Sequence, residues 1–220
     1  MASISLSASA PFSNDPYIIE KRQAIDDSVK ITMQMALNGT APRPVRIYAD
    51  GVFDLFHYGH ARQLMQVKQA FPASEVYVIA AVHNDDTVHK AKGLTVNSAN
   101  ERYENVRHCR YVDEVYPDAP YHATLGLLKE MKIDFIAHGL AFPNGVPGPG
   151  DPGIDDYDIF KSAGIFIETQ RTEGISTTDI ISRIIRNYDS YVNRNLFRGV
   201  DAEDLNLSYT KRSQQKDDCS

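Results

Sequence analysis

Two histidines lie three residues apart in DGVFDLFHYGHARQL, residues 50–64, directly after an apolar run. If a helix opens near Gly59, His60 lies in its first turn and His57 just before it. A helix N-terminus has unpaired N–H groups and partial positive charge, and after the carboxyl end of a strand it suits phosphate. Gly59 would let a ligand approach the backbone. A lone His-x-x-His fits a structural pair better than a phosphate or metal site, so the rest of the chain has to decide between them.

Two further stretches contain groups that suit phosphate. In QRTEGISTTDI, residues 170–180, a strand ends at Gln170 or Arg171 and a second helix opens behind hydroxyl residues. The Arg171 guanidinium offers a fork of donors that matches phosphate oxygens. In HKAKGLTV, Lys92 precedes Gly93 in an expected mobile loop. Taken singly, the first stretch also fits a capping box with a surface arginine, and the second a solvated lysine.

Alternating strands and helices would position these groups. Apolar runs predict strands over 45–53, 75–82, 133–139 and 165–172, with a short strand or bend over 111–117. Helices are predicted over 59–71, 97–109, 124–132, 157–164 and 176–197, with a short one around 28–39 closed by Gly39. Four prolines and four glycines make 141–153 a loop. The pattern predicts an α/β domain with a mostly parallel sheet.

The composition limits the partners and the compartment. The chain has 220 residues, is 42% hydrophobic and has a formal net charge of −6, so a general nucleic-acid or anionic-membrane surface is not expected. With only Cys109 and Cys219, a structural disulfide is not expected and a reducing compartment is, which favours the cytoplasm and leaves the nucleus open. No stretch has the length of a transmembrane helix.

Taken together and in this order, the stretches resemble the cytidylyltransferase family of HxGH nucleotidyltransferases. The likeness also includes RPVRIYADGVF, ERYENVRHCRYVDEVYPDAPY, IDFIAHG and IISRIIRNYDSYVNRNLFRG. It implies a Rossmann-like, doubly wound parallel sheet of the HIGH-type nucleotidyltransferase fold, with the catalytic domain over 41–199. Residues 1–40 are expected to form a partly disordered N-terminal tail and 200–220 a polar C-terminal tail.

The resemblance implies transfer of the cytidylyl group of CTP to phosphocholine, giving CDP-choline and pyrophosphate for phosphatidylcholine synthesis. It implies catalytic roles for His57, His60, Lys92 and Arg171, with the imidazoles on the CTP phosphates and Lys92 bridging the two substrates. The implied contacts with CTP are Gly51, Val52, Phe53, His57, His60, Lys92, Arg110, His138, Gln170, Arg171, Thr172, Glu173, Gly174, Ile175, Ser176 and Thr177. The implied contacts with phosphocholine are Lys92, Tyr121, Phe142 and Tyr157. Mg²⁺ is expected with CTP, and no metal ligands of the protein are assigned.

The acceptor side departs from the choline members of the family. Tyr121 stands where those members have Trp, and Gly139 and Leu140 stand where they have a pair of aspartates. A carboxylate for the substrate cation is therefore missing from that position, and Asp155 or Asp156 could replace it. A phosphoethanolamine cytidylyltransferase is the main alternative, although those enzymes resemble two fused halves. A glycerol-phosphate enzyme or a nucleotide-binding pseudoenzyme is a weaker alternative.

Regulation and assembly are also expected from the resemblance. The segment after Gly199 is short and polar, so no membrane-binding helix is expected in this chain and activity should not depend on lipid vesicles. The segment RYVDEV resembles the dimer contact of the family, which implies a homodimer.

Overall fold

The structure is a computed structural model that describes residues 9–139 and 157–207. The chain divides into two compact units, residues 1–175 and 176–220. The boundaries predicted at residues 40 and 199 stay predictions. No helix in the described ranges is long and apolar enough to cross a membrane.

A five-stranded parallel sheet forms the centre of the first unit. Its strands are β1 Val45–Gly51, β2 Val76–His83, β3 Glu114–Ala119, β4 Phe135–Gly139 and β5 Phe166–Thr169. The order across the sheet is β3-β2-β1-β4-β5, and every pairing is parallel. This confirms the predicted α/β class and the doubly wound sheet. The strand order reverses between β1 and β4, so a ligand crevice is expected at their carboxyl ends.

The helices pack around this sheet or follow it. In the first unit they are α1 Pro16–Gln23, α2 Met33–Asn38, α3 Tyr58–Lys68, α4 Asp85–Ala91, α5 Ala99–Arg107, α6 Leu125–Glu130 and α7 Asp158–Ser162. The second unit contains α8 Thr177–Arg186 and α9 Tyr188–Phe197. Six of them have an N-cap residue whose side chain accepts a hydrogen bond from an N–H of the first turn. These N-caps are Thr32, His57, Asn84, Ser98, Thr124 and Ser176. These caps fix where the chain leaves each strand or loop.

Two predicted elements differ from the structure. The single helix over 176–197 is wrong, because Asn187 ends α8 and precedes α9. The Asn187 side-chain amide donates to the Arg183 carbonyl at 2.8 Å, and such local bonds compete with continuation of a helix. The expected loop around Lys92 begins later than predicted, because α4 extends to Ala91 and Lys92 is its C-cap.

The segment before β1 packs against the sheet, although the sequence suggested a tail there. The predicted short helix is confirmed as α2, and Gly39 closes it with φ of +69°. Ile31 and Ala36 are buried in the core cluster that contains the residues of β1. At the edge of the sheet, the backbone of Pro11 and Ser13 exchanges hydrogen bonds of 2.8–2.9 Å with Val115. The described part of this segment is therefore part of the fold.

Candidate active site

The turn between β1 and α3 is strained and firmly held. Phe53 and Leu55 both adopt positive φ, at 54° and 46°, which non-glycine residues rarely do. The buried Asp54 carboxylate accepts backbone N–H groups of Leu55, Val96 and Asn97 at 2.8–3.0 Å. These bonds join the turn to the loop that follows Lys92. The turn can keep its strained shape because its surroundings over-determine it.

The two predicted histidines form the N-terminal cap of α3. The Nδ1 of His57 accepts the N–H of Gly59 at 3.1 Å, and the Nδ1 of His60 accepts the N–H of His57 at 3.3 Å. In a neutral imidazole with an accepting Nδ1, the proton is on Nε2. The capping bonds therefore make Nε2 of both rings a hydrogen-bond donor.

Burial keeps the His60 ring of this pair largely uncharged. The His57 and His60 rings stack with centroids 3.8 Å apart and planes 19° apart. Burial lowers the pKa of His60 to about 4, and the adjacent His57 acts in the same direction. His60 is thus a neutral Nε2–H donor near pH 7, beside the N–H groups of the first turn of α3.

The 170–175 segment lies directly against α3. The side-chain amide of Gln66 donates to the Gln170 carbonyl at 2.9 Å and accepts the Gln170 N–H at 2.8 Å. At the start of α3, a Cβ on Gly59 would come within 3.0 Å of Ile175 Cγ2. The structure therefore brings the predicted stretches HYGH and QRTEGI together.

A carboxylate that the sequence analysis did not assign lies at the end of β1. Asp50 is only 2% exposed. Its Oδ2 accepts the hydroxyl of Tyr157 at 2.9 Å and is 3.8 Å from Nε2 of His83. Its Oδ1 is buried and has no hydrogen-bond partner within the described residues. A buried acceptor without a donor is costly, so this atom is suited to a positively charged ligand.

Further aromatic rings and a lysine lie next to the two residues that contact this carboxylate, Tyr157 and His83. Tyr157 stacks on His138 with centroids 4.6 Å apart, and Tyr121 contacts His83 with centroids 5.3 Å apart. Lys92 Nζ is 5.7 Å from the centre of the Tyr121 ring. Burial lowers the pKa of His83, while Asp50 acts in the opposite direction. We call Asp50, His83, Tyr121, His138 and Tyr157 the acidic-aromatic cluster.

Arg102 connects the turn after β1 to the start of α4. Its side chain is fully buried. It donates to the Val52 carbonyl at 2.6 Å and to the Asp85 carboxylate at 2.8 Å. Asp85 also accepts the N–H of Ala99 at 2.9 Å. The turn after β1 and the helix that ends at Lys92 are therefore held by one buried guanidinium.

The other residues predicted for the site stay predictions, and the structure describes the local surroundings of most of them. Arg110 precedes β3, so it lies toward the amino ends of the strands, with its guanidinium 5.6 Å from the Tyr111 ring centre. Ser176 and Thr177 open α8 in the second unit, where the Ser176 hydroxyl caps Asp179. Phe142 lies outside the described residues, as do Leu140, Asp155 and Asp156. Arg171 and Glu173 are exposed, and Gly174 has φ of +75°.

Sequence reasoning missed five residues of this site: Asp50, Asp54, Gln66, His83 and Arg102. Asp50-Gly51 was interpreted only as a turn signal. A carboxylate at the penultimate position of a buried parallel strand could have been recognised as a candidate, because the carboxyl end of the strand opens into the crevice. The contacts of Arg102 and Gln66 cross 50 and 104 residues of chain, and no local pattern indicates them.

The described residues contain no group of three or more His, Cys, Asp or Glu side chains placed to hold a metal ion. Asp54 accepts backbone N–H groups, and one of the two Asp50 carboxylate oxygens accepts the Tyr157 hydroxyl.

A doubly wound sheet with two Nε2–H donors at its first strand-to-helix turn defines the class, a Rossmann-like nucleotidyltransferase fold. The chain belongs to the cytidylyltransferase-like family, whose model matches residues 48–183.

Curated relatives and one solved structure give more detail. Choline-phosphate cytidylyltransferase A of Rattus norvegicus is 52% identical over 182 residues, 82% of this chain and 48% of the relative. A probable ethanolamine-phosphate cytidylyltransferase of Encephalitozoon cuniculi is 43% identical over 148 residues, 67% of this chain and 43% of the relative. The lipopolysaccharide core biosynthesis protein of Thermoplasma volcanium GSS1 has a TM-score of 0.45 at 19% identity, covering 59% of this chain and 98% of that one. The chain spans about half the length of the curated relatives it matches.

Proposed function

We propose that the chain transfers the cytidylyl group of CTP to phosphocholine. An oxygen of the phosphocholine phosphate bonds to the α-phosphorus of CTP, and the bond from that phosphorus to the pyrophosphate leaving group breaks. The observation that carries the proposal is that phosphate donors and a cation acceptor flank one turn. His57 and His60 lie on one side of it and Asp50 on the other.

The phosphate side requires neutralisation and positioning rather than covalent chemistry. The Nε2–H groups of His57 and His60 would donate to CTP phosphate oxygens beside the positive end of α3. Lys92 would bridge the two substrates as a point charge, and Arg171 would bind the leaving pyrophosphate. Mg²⁺ would enter with CTP and offset the charge of the phosphates.

The acidic-aromatic cluster would hold the choline cation. A quaternary ammonium has no N–H, so aromatic faces and a nearby carboxylate recognise it. Tyr157 and Tyr121 supply the faces, and Asp50 supplies the carboxylate that Gly139 and Leu140 do not. No replacement by Asp155 or Asp156 is then required.

Phosphoethanolamine is the second candidate acceptor. Its primary ammonium has N–H groups that could donate to Oδ1 of Asp50, the buried oxygen without a partner within the described residues. A quaternary ammonium could only approach this atom. The relative from Encephalitozoon cuniculi is named a probable ethanolamine-phosphate cytidylyltransferase. We rank phosphocholine first because Tyr157 contacts the carboxylate directly and the Tyr121 ring packs against its neighbour His83.

The test is a side-by-side assay with CTP, Mg²⁺ and each of phosphocholine, phosphoethanolamine and glycerol 3-phosphate. We expect CDP-choline and pyrophosphate in equal amounts, with the highest kcat/KM for phosphocholine. Preference for phosphoethanolamine would replace the proposed acceptor. Nucleotide binding without turnover of any acceptor would establish the pseudoenzyme instead.

Substitutions of the two histidines test whether they take part in the reaction. His57→Ala and His60→Ala should each lower kcat by about 10²–10³-fold, because each removes a donor to developing phosphate charge. His108→Ala is the matched control. This exposed histidine is the C-cap of α5 and lies toward the amino ends of the strands, away from the candidate site. Equal kcat in all three variants would refute the assigned roles.

We also propose that the protein is a cytoplasmic homodimer. The likeness of RYVDEV to the family's dimer contact supports the assembly. Light scattering should give twice the 24.6 kDa mass of the chain, and a monomer mass would contradict it.

A further inference from the structure

A cavity of about 430 Å³ lies at the end of the sheet opposite the candidate active site. Its floor consists of the first residues of three strands, represented by Arg46 in β1, Tyr77 in β2 and Glu114 in β3. Its walls come from the end of α1, the segment 24–29 and the segment 42–44. This volume is in the range of small-molecule sites in proteins. The proposed reaction does not use it.

Arg46 is the residue that indicates a ligand. It is only 6% exposed, and its guanidinium lies 4.7 Å from the centre of the Tyr77 ring. Its Nη2 donates long bonds of 3.3 Å to Glu114 and 3.4 Å to the Met131 carbonyl. Its Nε is buried and has no hydrogen-bond partner in the described ranges. A buried charged group with an unmet donor calls for an acceptor.

The charges around the cavity leave one positive charge in excess. Arg22 and Arg46 share the single carboxylate of Glu114, at 3.6 Å and 3.3 Å. Arg43 is already paired bidentately with Asp134, at 2.7 and 2.8 Å.

The remaining charged residues at the cavity, Lys21 and Asp26, have opposite formal charges and add nothing to the net charge. A monoanion therefore matches the site, whereas a phosphate dianion would exceed its charge.

The remaining walls are apolar. Ile18, Ile25, Val29, Pro42 and Pro44 line the cavity beside the ring of Tyr77. Such walls bind an apolar body, and a few placed polar groups then orient it. Guanidinium groups match the planar geometry of a carboxylate.

We propose that this cavity is a second ligand site, which binds a small molecule with an apolar body and a single carboxylate. The carboxylate lies against Arg46 and Arg22, and the body lies between α1 and the two prolines. The proposal is independent of the proposed cytidylyl transfer.

Calorimetric titration of the full chain tests the site, with 2-naphthoate, the neutral 2-naphthalenemethanol and the cationic 2-naphthylmethylammonium as probes. We expect one naphthoate per chain, bound at least about tenfold tighter than the alcohol, since a charge-assisted bond contributes roughly this much. The cation should bind most weakly. Saturating CTP should leave naphthoate binding unchanged, which separates this cavity from the phosphate-binding edge.

Variants locate the binding. Val29→Trp should fill the mouth of the cavity and weaken naphthoate binding at least about tenfold, by the loss of the apolar contacts. The matched control is Leu37→Trp. Leu37 is an exposed residue of α2 and does not line the cavity. Arg22→Gln and Arg46→Gln should abolish the preference for naphthoate over the alcohol. If Arg46→Gln fails to fold, the other two variants decide.

Three results would overturn the proposal. They are equal affinity for the three probes, displacement of naphthoate by CTP, and unchanged binding in Val29→Trp.

Discussion

At the scale of single residues, hydrogen bonding decides what each titratable group can do. His57 and His60 use Nδ1 to cap α3, and this fixes Nε2 as the donor of each neutral ring. Asp50 uses one oxygen for Tyr157 and keeps the other without a partner within the described residues. The same strand end thus offers donors on one side and an acceptor on the other.

The lowered pKa of His60 makes stability depend on pH in a defined direction. The folded state binds this proton only near pH 4, whereas the unfolded chain binds it below about 6.5. The unfolded state therefore gains protons first, and stability falls as the pH falls from about 6.5 toward 4, by at most about 1.4 kcal/mol per pH unit. Urea unfolding of the wild type and His60→Gln should show free energies that converge over this range. Parallel curves would contradict the assignment, and His108→Gln serves as the exposed control.

Replacing Asp50 tests the acceptor side. Asp50→Asn keeps the shape of the side chain but removes its charge, so KM for phosphocholine should rise about 10–100-fold. KM for CTP should change far less, because the phosphate donors lie on the other side of the turn. Tyr157→Phe keeps the ring and loses only the bond to Asp50, so its effect should be smaller. Steady-state kinetics with each substrate varied in turn would show the split, and equal changes in both KM values would contradict it.

At the scale of elements, Gly59 at the start of α3 lies in close contact with His57 and Ile175. A Cβ on Gly59 would lie 2.9 Å from Cε1 and Nδ1 of His57 and 3.0 Å from Ile175 Cγ2. Gly126 occupies the same second position of α6, but its nearest neighbour would be Thr124 Oγ1 at 3.7 Å. The two glycines have the same position in their helices and differ in their surroundings.

This contrast gives a paired prediction. Gly126→Ala should stabilise the fold by up to about 1 kcal/mol, the ordinary preference of a helix for Ala over Gly. Gly59→Ala should displace the His57 ring and lower kcat at least about tenfold, since small displacements of catalytic groups are costly. Thermal unfolding and kinetics on both variants would check this. Full activity in Gly59→Ala would show that the close approach is not needed.

The elements also show what a sequence can predict. Apolar runs such as EVYVIAAV identify buried parallel strands. The sequence HYGH, directly after an apolar run, identifies the start of α3. The sequence analysis predicted neither the α1 helix nor the break at Asn187. Local helix preference is weak at both places, so packing determines α1 and the hydrogen bond of the Asn187 side chain ends α8. Asp54 and Arg102 hold the turn through contacts between segments about 40–50 residues apart, which periodicity does not contain.

At the scale of the whole molecule, the segment before β1 completes the core. Phe12 bridges to Val115 at the β3 edge. The hydroxyl of Ser13 donates to the buried Glu114 carboxylate. The segment thereby adds to the exposed edge of the sheet and covers it, which protects an edge strand from pairing with other chains.

A pair of substitutions measures how much this segment contributes. Ile31→Ala should lower the free energy of unfolding by about 2–4 kcal/mol, because Ile31 is 1% exposed and packs in the core cluster of the sheet. Leu37→Ala, at a site 54% exposed, should change it by less than about 0.5 kcal/mol. Denaturant unfolding gives both values. If Ile31→Ala were as harmless as Leu37→Ala, residues 9–40 would be a tail in the sense that the sequence first suggested. A large loss in Ile31→Ala alone would instead place this segment in the cooperative unit that includes β1.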